Sequence, residues 1–391
     1  MTDATTPTRR SANPVTVLAD DHPAATFFAA TLAISWGVWT VGYALTGGGT
    51  LTEALIIPGG FGPALGAALV TWLRGDSLRA WAASIVDWRV SPRWYLAAFG
   101  LPALAATGAS GLYFLGGGPV TVDRLLRMVP LLPVLVLVTA LVGGGNEEPG
   151  WRGFALPHLT ERFSAFTASL VIGVVWAVWH FPLFLMGAPR LLSGSLLLYS
   201  VVVVAVSILL TWVYESTGGS VLLALLFHGA INTATSFVPV PRGAIEQWGL
   251  LADLGIVTAV LVVTLAVVAY DARGDDGVFD LPVDAATAAT VAVAVLGFAV
   301  SVATVASMPD SVVVHWTVTS SLALTPDDTT SARLALSVLP VTATGIAFCS
   351  AAAVGRLRER SDATRIVRAV ALAVVAFLTL THVGLVVGNV L

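Results

Sequence analysis

The chain has 391 residues, of which 57% are hydrophobic and only 11% are charged, and its formal net charge is −4. A soluble domain usually carries about 25% charged residues, so this composition, with a mean hydropathy of +0.88, excludes an ordinary water-facing surface. Continuous apolar runs of roughly 20 residues suit membrane-spanning helices, whereas a β-barrel would alternate polar and apolar residues. The composition therefore predicts an all-α polytopic protein surrounded by membrane lipid, without a nucleic-acid partner.

The N-terminal segment, residues 1–24, is polar and contains Arg9 and Arg10. No short apolar stretch with a small-residue cleavage site follows it, which favours a retained first helix over a cleaved signal peptide. Arginine and lysine concentrate in cytoplasmic loops. If the N-terminus is cytoplasmic and the spans alternate, fourteen of the 19 basic residues fall inside. We therefore expect a multi-pass protein of the cell membrane with a cytoplasmic N-terminus.

About eleven segments are apolar and long enough to span a membrane. They are predicted at 25–45, 52–73, 94–115, 128–147, 165–187, 195–214, 220–238, 248–270, 286–307, 333–354 and 367–390. Eight of these spans form a predicted core, residues 25–270, and three form a predicted C-terminal membrane module, residues 286–391. An acidic linker, residues 271–285, separates the two units.

Two segments between the spans interleave aromatic and charged residues. Residues 76–93 carry tryptophan and arginine together and predict a helix in the membrane interface. Residues 152–163 are a candidate for a second interfacial helix.

Adjacent glutamates, Glu147 and Glu148, end the predicted fourth span. An ionisable group at membrane depth costs roughly 2.5–3.5 kcal/mol on insertion scales, which makes such residues candidates for function. On a helix, Glu148 and Arg152 are spaced to form an i, i+4 ion pair, and this pairing would leave Glu147 for another role. The alternative is an interfacial charge cluster that only ends the span.

A single histidine, His180, lies in the uncharged run from Phe163 to Pro189. Trp176 precedes it by one helical turn, and Pro182 removes a backbone hydrogen bond just after it. The alternative role for His180 is a hydrogen-bonded packing residue. Straight helices would separate His180 from Glu147 along the membrane normal, unless Gly143–Gly145 lies inside the bilayer or part of 152–170 lies in the interface.

The predicted seventh span carries His228 and Asn232, which share one helix face because they are four residues apart. Two polar side chains at that depth need a polar cavity or partners. The alternative is that they hydrogen-bond one helix to another.

Together these residue types suit hydrolysis. A carboxylate and an imidazole can take the proton from a water molecule, and a second imidazole with an amide can stabilise an oxyanion. Alternatively, Glu147, His180 and His228 would form a zinc site, since catalytic zinc commonly has three protein ligands and a water. The chain contains no H-E-x-x-H helix motif.

Three motifs in order, "EEPGWRG" (147–153), "WAVWH" (176–180) and "HGAIN" (228–232), resemble the CPBP family of intramembrane proteases. This family includes CAAX prenyl endopeptidases and bacteriocin-processing and self-immunity proteins. The resemblance covers roughly residues 25–240. Trp176 departs from the family pattern, in which phenylalanine is commoner.

The resemblance implies a role for each motif residue. Glu147 would activate water with His180, and His228 and Asn232 would stabilise the oxyanion. Glu148 and Arg152 would support the site, together with Trp176. We favour chemistry without a cofactor, because the amide of Asn232 is a poor zinc ligand, but zinc remains the alternative.

The resemblance predicts an enzyme, a CAAX-type intramembrane endopeptidase that cuts a membrane-associated peptide or protein. The alternative is a non-catalytic immunity or scaffold protein of the same fold. A scaffold would not require all four of Glu147, His180, His228 and Asn232, so their joint presence favours the enzyme. The sequence indicates neither the substrate nor an oligomeric state.

Overall fold

The computed structural model describes residues 13–47, 50–120, 122–186, 195–241, 244–274, 276–279, 281, 285–318, 324–356 and 361–390. The helices of the first half are α1 (Pro14–Asp21), α2 (Pro23–Thr46), α3 (Thr50–Gly60), α4 (Gly62–Leu73), α5 (Leu78–Ser84), α6 (Pro92–Leu115), α7 (Val122–Met128), α8 (Leu132–Val142), α9 (Glu148–Gly150) and α10 (Leu156–Thr160). Those of the second half are α11 (Ala165–Trp179), α12 (Phe181–Leu185), α13 (Leu196–Ser216), α14 (Val221–Thr235), α15 (Ile245–Asp271), α16 (Ala285–Thr304), α17 (Ala332–Arg356) and α18 (Ser361–Val390).

Ten helical segments within the described residues are long and apolar enough to cross a membrane. The all-α polytopic fold is therefore confirmed, with one span fewer than the eleven predicted. The difference is α14, which replaces the predicted span 220–238 and has only 15 residues. At 1.5 Å per residue such a helix is about 22 Å long, shorter than a hydrocarbon core of about 30 Å.

The fourth span was predicted to end too early, at residue 147. The structure has one broken apolar segment from Leu126 to Thr160, so Glu147 lies within it and not at its end. The predicted interfacial helix at 152–163 is also wrong, because Arg152, Phe154 and Leu159 are buried inside the bundle. An arginine can be buried there because its charge is paired, as described below. The segment 76–93, in contrast, contains α5, which has no buried residue.

Serine side chains cap the N-termini of three helices in the core, α11, α13 and α14. Ser164 Oγ accepts a hydrogen bond from Thr167 N at 3.3 Å at the start of α11. Ser195 and Ser220 cap α13 and α14 in the same way. Such caps satisfy backbone N–H groups that have no partner within the helix. They fix where each helix begins and hence the depth of its polar residues.

The core is a bundle in which α14 packs against α6 and α8, and α11 packs against α13. The helix α15 packs against α6 and α13, and it also contacts α16 of the C-terminal module. The helices α16, α17 and α18 pack on one another, and α17 contacts α13. The division into a core and a separate C-terminal module stays a prediction.

The carboxylate of Asp271 fixes the described part of the linker to the core. Its Oδ1 accepts hydrogen bonds from Trp212 Nε1 at 3.1 Å and from Val278 N at 3.0 Å. Its Oδ2 accepts one from Phe279 N at 3.0 Å. The Phe279 ring is buried, 5.7 Å from the ring of Phe166. One carboxylate of the acidic linker, that of Asp271, therefore has a structural role.

An antiparallel hairpin, β1 (Ser311–Val318) and β2 (Leu324–Ser331), connects α16 to α17. These strands were not predicted from the sequence, although the β-branched run at 311–318 favours extended backbone. Asn389 of α18 binds β1: its Oδ1 accepts from Val313 N at 2.7 Å, and its Nδ2 donates to Val313 O at 2.9 Å.

Candidate active site

The broken segment between α8 and α10 places the glutamates inside the bundle. Helix α8 ends at Val142, Gly144 has a φ of +132°, and a short 3-10 turn follows at Gly145–Glu147. A Cβ on Gly145 would lie 2.6 Å from Leu225 O, so only glycine permits this close approach to α14. The break thus turns both glutamates towards α11 and α14.

A single cavity of about 610 Å³ contains the four predicted catalytic residues in its wall. They come from three separate elements: the 3-10 turn (Glu147), the end of α11 (His180), and α14 (His228 and Asn232). Trp176 also lines the cavity. Glu148 and Arg152 lie behind the wall, with fully buried side chains. The structure therefore brings the predicted residues together, although their roles stay predictions.

Hydrogen-bond donors of the protein bind one oxygen of the Glu147 carboxylate. Its Oε2 accepts a hydrogen bond from Trp176 Nε1 at 2.7 Å and another from Trp151 Nε1 at 3.2 Å. Among the described residues, none donates a hydrogen bond to Oε1, and the side chain lines the cavity. One carboxylate oxygen is therefore bound by protein and the other is available to a molecule in the cavity.

The imidazole of His180 is oriented by its own helix. Its Nδ1 lies 2.9 Å from Trp176 O. A carbonyl oxygen only accepts hydrogen bonds, so Nδ1 carries the proton and Nε2 of the neutral ring has the lone pair. The ring is further fixed by Trp179 and Tyr199, whose ring centroids lie 4.6 and 4.9 Å away. His180 is thus arranged as a hydrogen-bond acceptor or base through Nε2.

A buried chain of charges supports His228. Its Nδ1 lies 2.7 Å from Glu148 Oε1, and Glu148 Oε2 accepts from Arg152 Nη1 at 3.0 Å. Arg152 Nη2 donates to Ser207 Oγ at 2.9 Å and to Ser207 O at 3.0 Å. Ser207 Oγ in turn donates to Ser169 O at 2.8 Å. A buried ion pair needs such additional hydrogen bonds to offset its desolvation.

Gly144 lies against the two polar side chains of α14. Asn232 Nδ2 donates to Gly143 O at 3.0 Å. A Cβ built on Gly144 would lie 2.4 Å from Asn232 Nδ2 and 2.7 Å from His228 Nε2. Asn232 Nδ2 and His228 Nε2 therefore lie close together against Gly144, in the wall of the cavity.

Replacing Gly144 by Ala is expected to lower kcat/KM by about 100-fold or more. The methyl group would occupy the space between Asn232 and His228, and a φ of +132° strains any residue with a side chain by about 1–3 kcal/mol. The control is Gly111→Ala on α6, where a Cβ meets no atom within 4 Å. Peptide cleavage by the two purified variants checks the prediction, and equal activity would contradict it.

Four residues of the site were not found by sequence reasoning. Trp151 binds Glu147, and Asn146 accepts from Gly144 N at 3.0 Å while donating to Gly60 O at 3.0 Å. Tyr199 and the buried Asp253 line the cavity. Asp253 could have been found, since it is a charge within the apolar segment Gln247–Asp271.

The zinc site considered from the sequence, with Glu147, His180 and His228 as ligands, stays a prediction. No three His, Cys, Asp or Glu side chains of the described residues are arranged to hold one ion. Glu147 Oε2 faces two indole N–H donors, and Glu148 is shared between Arg152 and His228.

Comparison with known proteins gives two matches. A family model described as "Type II CAAX prenyl endopeptidase Rce1-like" matches residues 129–234. A curated protein named CAAX prenyl protease 2, from Methanococcus maripaludis, is 29% identical to this chain over 170 residues. That alignment covers 42% of this chain and 56% of the relative, so the chain spans little more than half of the relative's length.

The family match includes every element that contributes a predicted catalytic residue, from α8 to α14. It excludes the helices α16, α17 and α18 and the hairpin. Residues 129–234 are therefore similar to the Rce1-like CAAX prenyl endopeptidases.

Proposed function

We propose that this chain is an intramembrane endopeptidase that hydrolyses a peptide bond of a membrane-associated peptide or protein. The observation that carries the proposal is the cavity itself. A carboxylate, two imidazoles and a primary amide line one space inside a helical bundle. Polar groups at membrane depth are costly and mark function, and this set suits water activation and oxyanion binding.

In the proposed reaction, Glu147 Oε1 takes a proton from water while the water oxygen bonds to the carbonyl carbon of the scissile peptide. His180 Nε2 accepts the second hydrogen bond of that water. The tetrahedral oxyanion binds Asn232 Nδ2 and, with His228 doubly protonated, His228 Nε2. The C–N bond then breaks, and the leaving nitrogen receives the proton held by Glu147. Glu148 keeps His228 oriented through Nδ1, as the 2.7 Å contact indicates.

The proposed substrate carries an apolar anchor next to the cleaved bond. Much of the rest of the cavity wall is apolar, with Ile56, Leu183, Val202, Val206 and Ile256 among its residues. The relative's name, CAAX prenyl protease 2, supports a lipidated C-terminal peptide as the first substrate to test. We further propose that the N-terminus lies in the cytoplasm of a cell-membrane protein, because of the arginine distribution.

The test uses the purified full chain in lipid nanodiscs with two internally quenched peptides. One ends in a farnesylated CAAX sequence, and the other is identical without the lipid. Cleavage of the lipidated peptide at a defined bond, identified by mass spectrometry, is the expected result. No cleavage of either peptide by folded protein would count against the proposed function with this substrate class.

We also propose that cleavage needs no metal ion, because the amide of Asn232 is a poor zinc ligand and no three His, Cys, Asp or Glu side chains of the described residues are grouped to hold one ion. Activity is therefore expected to survive dialysis against EDTA and 1,10-phenanthroline, with less than about a twofold loss. A catalytic zinc supplies the nucleophile itself, so a zinc enzyme would lose activity and recover it on addition of Zn²⁺. Recovery of that kind would contradict the metal-free mechanism.

A further inference from the structure

Two tryptophans hold one oxygen of the Glu147 carboxylate. Trp176 Nε1 donates to Oε2 at 2.7 Å, and Trp151 Nε1 donates to the same atom at 3.2 Å. The two donors are called the indole pair below. A phenylalanine at either position could not make this contact, because its ring has no N–H donor.

The Trp176 ring is fixed from several directions. Its side chain is buried, the Arg152 guanidinium carbon lies 5.6 Å from its ring centroid, and the His228 ring meets it edge-on at 5.0 Å. Its backbone oxygen accepts from His180 Nδ1. Trp176 therefore contacts Glu147, His180 and His228.

The Trp151 ring is fixed by aromatic packing on the opposite side. It is fully buried and meets the rings of Phe27 and Trp179 nearly perpendicularly, at centroid distances of 5.5 and 6.2 Å. Neither ring of the indole pair can rotate without displacing these neighbours. Both N–H groups are thus rigid donors aimed at one atom.

Without such donors, the terminal torsion angle of a glutamate side chain, χ3, is broadly distributed. Two rigid donors on Oε2 confine that torsion and so fix the direction in which Oε1 faces. Preorganised groups of this kind raise rates because no rearrangement is needed at the moment of reaction.

We propose that Trp151 and Trp176 are positioning residues that fix Oε2 of Glu147 and so select Oε1 as the oxygen that removes the proton from water. The catalytic part of this inference rests on the proposed function. The hydrogen-bonded arrangement itself does not, and it has a separate readout.

The first experiment needs no substrate. The ¹H–¹⁵N indole signals of the pair are assigned by their loss in Trp151→Phe and Trp176→Phe, and then followed in Glu147→Gln. Replacing a carboxylate by an amide weakens a charge-assisted hydrogen bond, so both signals are expected to move upfield. The Trp212 signal is the reference, because its donor binds Asp271, and it should stay. Unmoved signals for the pair would overturn the proposal, whatever the activity.

The second experiment compares kcat and KM for the farnesylated peptide. Each single variant of the pair is expected to lower kcat roughly 10-fold, and the double variant roughly 100-fold, as for loss of hydrogen bonds to a charged group. KM should change much less than kcat, because phenylalanine keeps an aromatic ring at each position and removes only the N–H donor. The matched control is Trp212→Phe, which also loses a buried indole–carboxylate bond but does not line the cavity, and it should keep its kcat. Active wild type with unchanged kcat in all pair variants would overturn the proposal, whereas inactive wild type would count against the proposed function alone.

Discussion

Replacing Glu147 by Gln is expected to lower kcat for peptide cleavage by about 10²–10⁴-fold, the range that a general base contributes. The amide has the same shape as the carboxylate, and its oxygen still accepts the hydrogen bonds of Trp151 and Trp176. What it lacks is the ability to take a proton from water. The variant should therefore fold normally and bind substrate with little change in KM.

The measurement is steady-state cleavage of the farnesylated peptide by purified protein, with thermal unfolding of the same samples. The matched control is Glu161→Gln, a glutamate at an exposed position directly after α10. This control should keep full activity. An active Glu147→Gln variant would remove Glu147 as the base and with it the proposed mechanism.

Replacing Arg152 by Met is expected to destabilise the protein by about 3–5 kcal/mol, because it leaves the carboxylate of Glu148 buried without its ion-pair partner. Both side chains are fully buried and 3.0 Å apart. The change also leaves Ser207 Oγ and Ser207 O without their guanidinium donor. Such a loss is a large fraction of the stability of a typical protein.

The effect is measured as the free energy of unfolding in mixed detergent micelles. Arg89→Met is the control, since Arg89 is exposed and only stacks on Trp88 at 5.7 Å, a contact of about 0.5–1 kcal/mol. The double variant Glu148→Gln with Arg152→Met removes both charges and should recover part of the loss. If Arg152→Met and Arg89→Met were equally stable, the buried ion pair would not have the structural role described above.

Much of the membrane architecture follows from composition. A continuous apolar run crosses lipid as a helix, because a helix satisfies the hydrogen bonds of its own backbone. The spacing of Glu147, His180, His228 and Asn232 also predicted residues that the structure brings to one cavity. Spacing worked for His228 and Asn232 because residues four apart share one helix face, whereas Glu147 and His180 were found as ionisable residues in apolar runs.

Other features depend on contacts between distant segments and could not be read from local pattern. The break at Gly143–Gly144 lets the chain continue to Thr160, so Glu147 lies inside the bundle and not at its edge. This depth is permitted by Arg152, whose partner Ser207 is 55 residues away. The hairpin at 311–331 is likewise held by Asn389 of the last helix.

The most direct test of the central claim compares membrane-protein termini in cells that produce either wild type or Glu147→Gln at equal levels. The proposed function predicts full-length, membrane-anchored species that accumulate only with the variant, and matching cleaved termini only with wild type. Identical termini in both, with both proteins folded, would contradict proteolysis and favour a non-catalytic immunity or scaffold protein of the same fold.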